Sequence, residues 1–142
     1  MVGNFSGDKM YKVSKEIHFC YGHRLMDYDG PCMHPHGHNG SAEILLKGEK
    51  LDPRHMLYEF GDLKEIVKRW IDETIDHKML LRRDDPLVKP LQELGEPVFL
   101  FDTNPTAEAI AKLIFDHCSE KKLPVEEVRV WETESSWASY RR

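Results

Sequence analysis

Residues 10–23 read MYKVSKEIHFCYGH, and their alternation decides how the chain folds. Val13, Ile17, Phe19 and Tyr21 are apolar at odd positions, and Lys12, Ser14, Glu16 and His18 between them are polar. Successive side chains of a strand point to opposite faces, so this segment predicts a strand with one buried face. A loop marked by Gly30-Pro31 and Pro35 follows. Residues 36–48 then predict a second strand, with Ala42, Ile44 and Leu46 on one face. Asp52-Pro53 turns the chain, and residues 56–60 predict a third strand. Residues 62–75 carry Leu63, Ile66, Val67, Trp70 and Ile71 at spacings of three and four, which predicts an amphipathic helix ending at Asp76-His77. Asn104-Pro105 predicts the next helix start, with Asn104 as cap and Pro105 in the first turn. Ile110, Leu113 and Ile114 form that helix's apolar stripe, and it closes before Pro124. Residues 125–140 predict a final strand in which Val128 and Val130 alternate with charge. The order β-β-β-α-α-β favours an α+β fold, an antiparallel sheet with helices on one face.

The chain has 142 residues, which suits one domain. We read residues 1–8 as a loose tail and residues 9–142 as the domain. Apolar residues make up 40% and charged residues 32%, a balance that folds rather than staying disordered. The formal net charge of −5 argues against a nucleic-acid partner, which calls for a basic stripe. No apolar run approaches membrane-spanning length, and the first residues show no apolar signal segment, so a cytoplasmic location is expected. Cys20, Cys32 and Cys118 are an odd set without C-x-x-C spacing. Free thiols are the expectation, and a cysteine cage for zinc is not.

Residues 31–40, PCMHPHGHNG, concentrate one cysteine and three histidines. His36 and His38 are two apart on a strand and so share a face. His23 ends the preceding strand, and an antiparallel neighbour brings it beside them. Three imidazoles without a fourth protein ligand form the zinc pattern that keeps a position open for water or substrate. Cys32 is either a fourth ligand, closing the site, or a thiol working beside the metal; its loop setting favours the thiol. Asp76-His77 pairs an acid with an imidazole, an arrangement that orients a third group, although a histidine also suits a helix C-terminus. Glu108 sits in a first helical turn. Glu132 is a carboxylate able to accept a pair of N–H donors. Cys20 points away from His23, and it and Cys118 read as structural. Arg24, beside His23, is a candidate for phosphate contact.

In order, His23, Cys32 with His36-Gly37-His38, Asp76-His77, Pro105-Thr106-Ala107-Glu108 and Glu132-Thr133 resemble the motifs of the 6-pyruvoyl-tetrahydropterin synthase and 6-carboxy-tetrahydropterin synthase family. FGDLK at 60–64 is similar to that family's helix start. The resemblance implies the tunnelling fold: a four-stranded antiparallel sheet, two helices on one face, and subunits closing into a barrel. Two stacked trimers form a homohexamer, with sites at the subunit interfaces. It implies Zn2+ on His23, His36 and His38. It implies a proton-transferring Cys32 activated by Asp76 and His77 of a neighbouring subunit. Glu132 receives the pterin, and Thr106 and Glu108 support that pocket. The implied substrate is 7,8-dihydroneopterin triphosphate. The implied product is 6-carboxy-5,6,7,8-tetrahydropterin, formed with loss of triphosphate and acetaldehyde on the route to queuosine and other 7-deazapurines. The alternatives are 6-pyruvoyl-tetrahydropterin, formed by triphosphate elimination alone, and a non-catalytic zinc protein. A tunnelling-fold aldolase or epimerase needs no three-histidine site. Tyr21-Gly22 before the first histidine, Gly40 after the H-G-H-N run, Glu59 and Ala109 depart from the family pattern and leave the product open.

Overall fold

The computed structural model describes residues 9–142; the expected tail, residues 1–8, lies outside the described residues. Strands β1 (Tyr11–His23) and β2 (His36–Gly48) form a long antiparallel hairpin. Helix α1 (Phe60–Thr74), strand β3 (Lys78–Arg82), the short α2 (Val88–Glu93), strand β4 (Val98–Phe101), α3 (Ala107–Glu120), β5 (Val125–Trp131) and β6 (Trp137–Tyr140) follow. The sheet runs β4-β3-β1-β2-β5-β6. β1, β2, β5 and β6 pair antiparallel, whereas β3 joins β1, and β4 joins β3, in parallel.

The alternation in β1 and β2 has the expected cause. Ile17, Phe19 and Tyr21 of β1 and Ala42, Ile44 and Leu46 of β2 face one core. Leu63, Val67 and Ile71 of α1 and Ile110, Ala111 and Ile114 of α3 cover it. Both long helices therefore lie on a single sheet face, as expected. Among the described residues the sheet has six strands, not four, and the α-helices number three, not two. The additional strands are short and parallel, built from the partly buried runs KMLLR and VFLF.

Residues 56–60 are not a strand, because side chains hold the backbone groups that a strand would use. Asp52 Oδ1 accepts from the N–H groups of Arg54 (2.8 Å) and Met56 (3.0 Å), and Glu59 accepts from Gly61 and Asp62, capping α1. The last predicted strand is two, with a turn between them in which Glu132 N–H donates to Ser136 O at 3.1 Å. Glu132 thus stands just beyond β5 rather than within a strand. The cap of α3 is Thr106, whose hydroxyl accepts from Ala109 N–H at 3.1 Å. Asn104 instead clamps Met26, with its amide bonded to both Met26 N–H and Met26 O at 2.8 Å. No helix among the described residues is long and apolar enough to cross a membrane.

Arg24 leaves β1 and forms a forked pair with Asp85, Nε to Oδ2 at 2.7 Å and Nη2 to Oδ1. The guanidinium that is a candidate for phosphate contact is already occupied. Burial would raise the Asp85 carboxyl, but Arg24 and the Leu87 N–H outweigh it and hold the group below its ordinary value of 3.8. A carboxyl depressed in the folded state stabilises above its unfolded value, and that contribution fades as pH falls through the folded one. Asp85→Ala is expected to cost about 3 kcal/mol near neutral pH, because it strands a mostly buried guanidinium. The difference from the unsubstituted protein should shrink below pH ~4, which urea titrations at several pH values will read.

Candidate metal centre

The hairpin register assembles the site. His23 pairs with His36 across β1 and β2, and His38 lies opposite Tyr21. All three histidines sit on the face that carries the core, at its open end. Their ring centroids are 4.5, 5.1 and 5.0 Å apart, and one nitrogen from each falls within 4.8 Å of the others.

The remaining ring nitrogens show which atoms face inward. His23 Nδ1 donates to Pro105 O at 2.7 Å, and His36 Nδ1 to His34 O at 2.8 Å, so in the neutral ring of each the bare nitrogen is Nε2. His38 Nε2 is buried and has no hydrogen-bond partner. A buried polar atom without a partner is costly, so three convergent bare nitrogens fit a cation held there. Binding the second ring N–H to a carbonyl is how metal-ligating histidines are oriented. Burial lowers the His23 pKa; Pro105 O and Glu132 pull it back, and His36 and His38 push it down. The neutral imidazole is the form that ligates.

The Pro105 carbonyl belongs to the Pro105-Thr106-Ala107-Glu108 run, so the Thr106 cap that starts α3 also fixes the atom orienting His23. Glu108 is exposed in the first turn of α3. Glu132 Oε1 lies 3.9 Å from His23 Nε2, so its carboxylate borders the histidine set. Cys32 sits in a 3-10 turn, Pro31–Met33, whose carbonyl receives Leu25 N–H at 2.9 Å. Its sulfur is not part of the convergent three-histidine group.

Asp76 and His77 lie elsewhere in the chain. Asp76 Oδ1 accepts from Cys20 N–H at 3.0 Å, and His77 N–H donates to Cys20 O at 2.7 Å. Asp76 Oδ2 is 2.7 Å from His77 Nδ1. The Cys20 thiol joins this pair in a second compact group. Cys20 points to the sheet face opposite His23, beside an open cleft of about 740 Å³ lined by Gly22, Gly37, Asn39, His77 and Met79. The sequence reading missed this neighbourhood. It depends on β3 running parallel to β1, with Tyr21 level with Lys78, and no local pattern announces that pairing. Cys118 is a core residue, its thiol pushed up to about 12 by burial.

A family model described as 6-pyruvoyl tetrahydropterin synthase matches residues 12–142. The chain is 36% identical over 104 residues to a 6-carboxy-5,6,7,8-tetrahydropterin synthase of Rickettsia conorii, covering 72% of this chain and 75% of the relative. It is 32% identical over 139 residues to the enzyme of that name from Haemophilus influenzae, covering 92% and 99%. An uncharacterized protein of Wolinella succinogenes superposes with a TM-score of 0.77 at 27% identity, over 94% and 98% of the two chains. A 6-pyruvoyl tetrahydropterin synthase from Plasmodium vivax has a TM-score of 0.73 at 19% identity, over 95% and 99%, a likeness of fold alone.

Proposed function

Because the chain belongs to the 6-pyruvoyl tetrahydropterin synthase family, we propose that it is a zinc-dependent lyase making 6-carboxy-5,6,7,8-tetrahydropterin. The substrate is 7,8-dihydroneopterin triphosphate; water is consumed, and triphosphate and acetaldehyde are released. The observation that carries this reading is the convergence of three bare Nε2 atoms beside Glu132. The names of the Rickettsia and Haemophilus relatives favour the carboxy product. That product points to queuosine and other 7-deazapurines as the destination. Three free thiols suit the reducing cytoplasm.

His23, His36 and His38 would hold Zn2+, which when bound polarises the hydroxyls of the substrate side chain and acidifies the adjoining C–H. Cys32, as thiolate, takes that carbon-bound proton. Asp76 and His77 support the thiolate, the carboxylate orienting the imidazole through Nδ1. His77 holds a left-handed backbone at φ 57°, where glycine would be easier. A histidine kept there despite the strain is consistent with a working side chain. Glu132 accepts the adjacent N–H donors of the pterin's 2-amino-4-oxo edge. Thr106 supports the pocket by capping α3 under Pro105, and Glu108 stands in the first turn of α3 beside that loop. The outer sides of the edge strands β4 and β6 have no further strand partner among the described residues. Joining edges between copies would protect them, in keeping with a barrel-closing homohexamer.

The deciding experiment incubates the zinc-loaded protein with dihydroneopterin triphosphate and traps the small products. Triphosphate and acetaldehyde in equal amounts are expected. Triphosphate without acetaldehyde would assign the pyruvoyl product instead, and unchanged substrate would leave the zinc protein without this turnover. Glu132→Ala should weaken pterin binding by at least ~10-fold while zinc content holds, since charge-assisted hydrogen bonds are lost. Equilibrium fluorescence titration measures this, and unchanged affinity would remove Glu132 from the pocket.

A further inference from the structure

Tyr21 stands in the middle of the histidine face with a hydroxyl that has no partner. Its side chain is 3% exposed, and Oη makes no hydrogen bond. The ring stacks on Phe19 at 5.4 Å, meets His23 edge-on at 5.1 Å and lies 5.6 Å from His38. It also lies over Gly40 of β2, where a Cβ would stand 3.0 Å from Tyr21 Cε1 and 3.2 Å from Trp131 O. The glycine therefore opens the path along which the ring crosses β2 toward the end of β5, and Glu132 is the residue after β5. The Glu132 carboxylate acts on this phenol both by its charge and as a nearby acceptor for its hydroxyl, although the two do not meet at full hydrogen-bonding geometry.

The charge partners of the two groups differ. The only basic side chain within 4 Å of Glu132, among the described residues, is His23, through Nε2 at 3.9 Å. The proposed function gives that same nitrogen to a metal ion. Glu132 then lacks a protein donor to fix its rotamer, and a carboxylate free to turn loses its match to two parallel N–H groups. The buried hydroxyl of Tyr21 is the donor without an acceptor on the same face.

We propose that Tyr21 is a positioning residue for Glu132: its hydroxyl donates to one carboxylate oxygen and holds the group in the plane that receives the pterin edge. Each carboxylate oxygen has two acceptor sites, so this bond and an N–H bond coexist on one oxygen. The inference rests on the pterin reading of the site and adds to it the packing of Tyr21 over Gly40.

The test is a double-mutant cycle with neopterin, a fluorescent pterin without the triphosphate, titrated into the metal-loaded protein. Tyr21→Phe keeps the ring and removes only the hydroxyl. Neopterin affinity should fall about fivefold to tenfold. Zinc content should be unchanged, and the variant should remain folded. In turnover, KM should rise while kcat holds. In a Glu132→Ala background, Tyr21→Phe should have no further effect on affinity. If Tyr21→Phe binds neopterin like the unsubstituted protein while Glu132→Ala does not, the pterin reading stands and the Tyr21 proposal is overturned. An equal loss in both backgrounds also overturns it, because Tyr21 would then act without Glu132. Failure of the unsubstituted protein to bind neopterin overturns the pterin reading and this proposal together.

Discussion

His38→Ala is expected to leave the protein folded, almost free of zinc and without measurable turnover. His38 is the informative position because its Nε2 is buried and makes no hydrogen bond within the protein. Removing it costs the fold no polar contact. His23, by contrast, ties β1 to the loop before α3 through Pro105, so its loss would confound metal binding with packing. Two nitrogens cannot replace the three-ligand set of an open zinc site, so zinc should fall from about one per chain to a small fraction. Activity should drop by ~10³-fold or more, because polarisation by the metal supplies several kcal/mol of the barrier reduction. Metal analysis after dialysis and thermal unfolding of the metal-free protein provide the check. Unfolding at an unchanged temperature with zinc lost is the expected pair of results. Full zinc retention would move the metal site away from these histidines. Cobalt substitution adds a spectroscopic readout: the Cys32 sulfur lies outside the three-nitrogen group, so no sulfur-to-metal band should appear.

The sequence discloses this centre because the hairpin that builds it is local. Alternation in β1 and β2 follows directly from burial of one face, and a one-residue slip would turn every apolar side chain outward. That constraint fixes His23 opposite His36 before any long-range contact is known. α1 and α3 are legible for the same reason, since each buries one stripe. β3 and β4 are short apolar runs without a period, and their parallel pairing is set only by crossovers through helices. Residues 56–60 mislead because Leu57 and Tyr58 pack against the core from a turn, giving an apolar pattern without a ladder. Asn104 and Thr106 are both good caps two residues apart, and the choice falls to Thr106 because the Asn104 amide is taken by Met26, 78 residues away. The placing of Asp76 and His77 on the Cys20 backbone has the same non-local origin.

Cys32→Ala should lose ~10²–10⁴-fold in turnover, the range typical of a missing general base, and should keep its zinc. His77→Ala should fail at the same step. The geometry adds a condition to both variants. Asp76 and His77 are bound to the backbone of Cys20, whose side chain points away from the face carrying His23. Within one chain the dyad is on the wrong side of the sheet to act at that chain's histidine site. If the dyad serves Cys32, it does so on another copy, across an interface. Each variant alone is then inactive, but a mixture is not. When Cys32→Ala and His77→Ala chains are unfolded together and reassembled in equal amounts, about a quarter of the interfaces join an intact Cys32 to an intact dyad. Turnover should recover to about that fraction of the unsubstituted protein, and mixing without reassembly should give none. Recovery requires the two groups to come from different chains, since no single chain in the mixture carries both. A reassembled mixture as inactive as its parents would separate His77 from Cys32 and return the dyad to its own chain, where the Cys20 thiol is the group beside it.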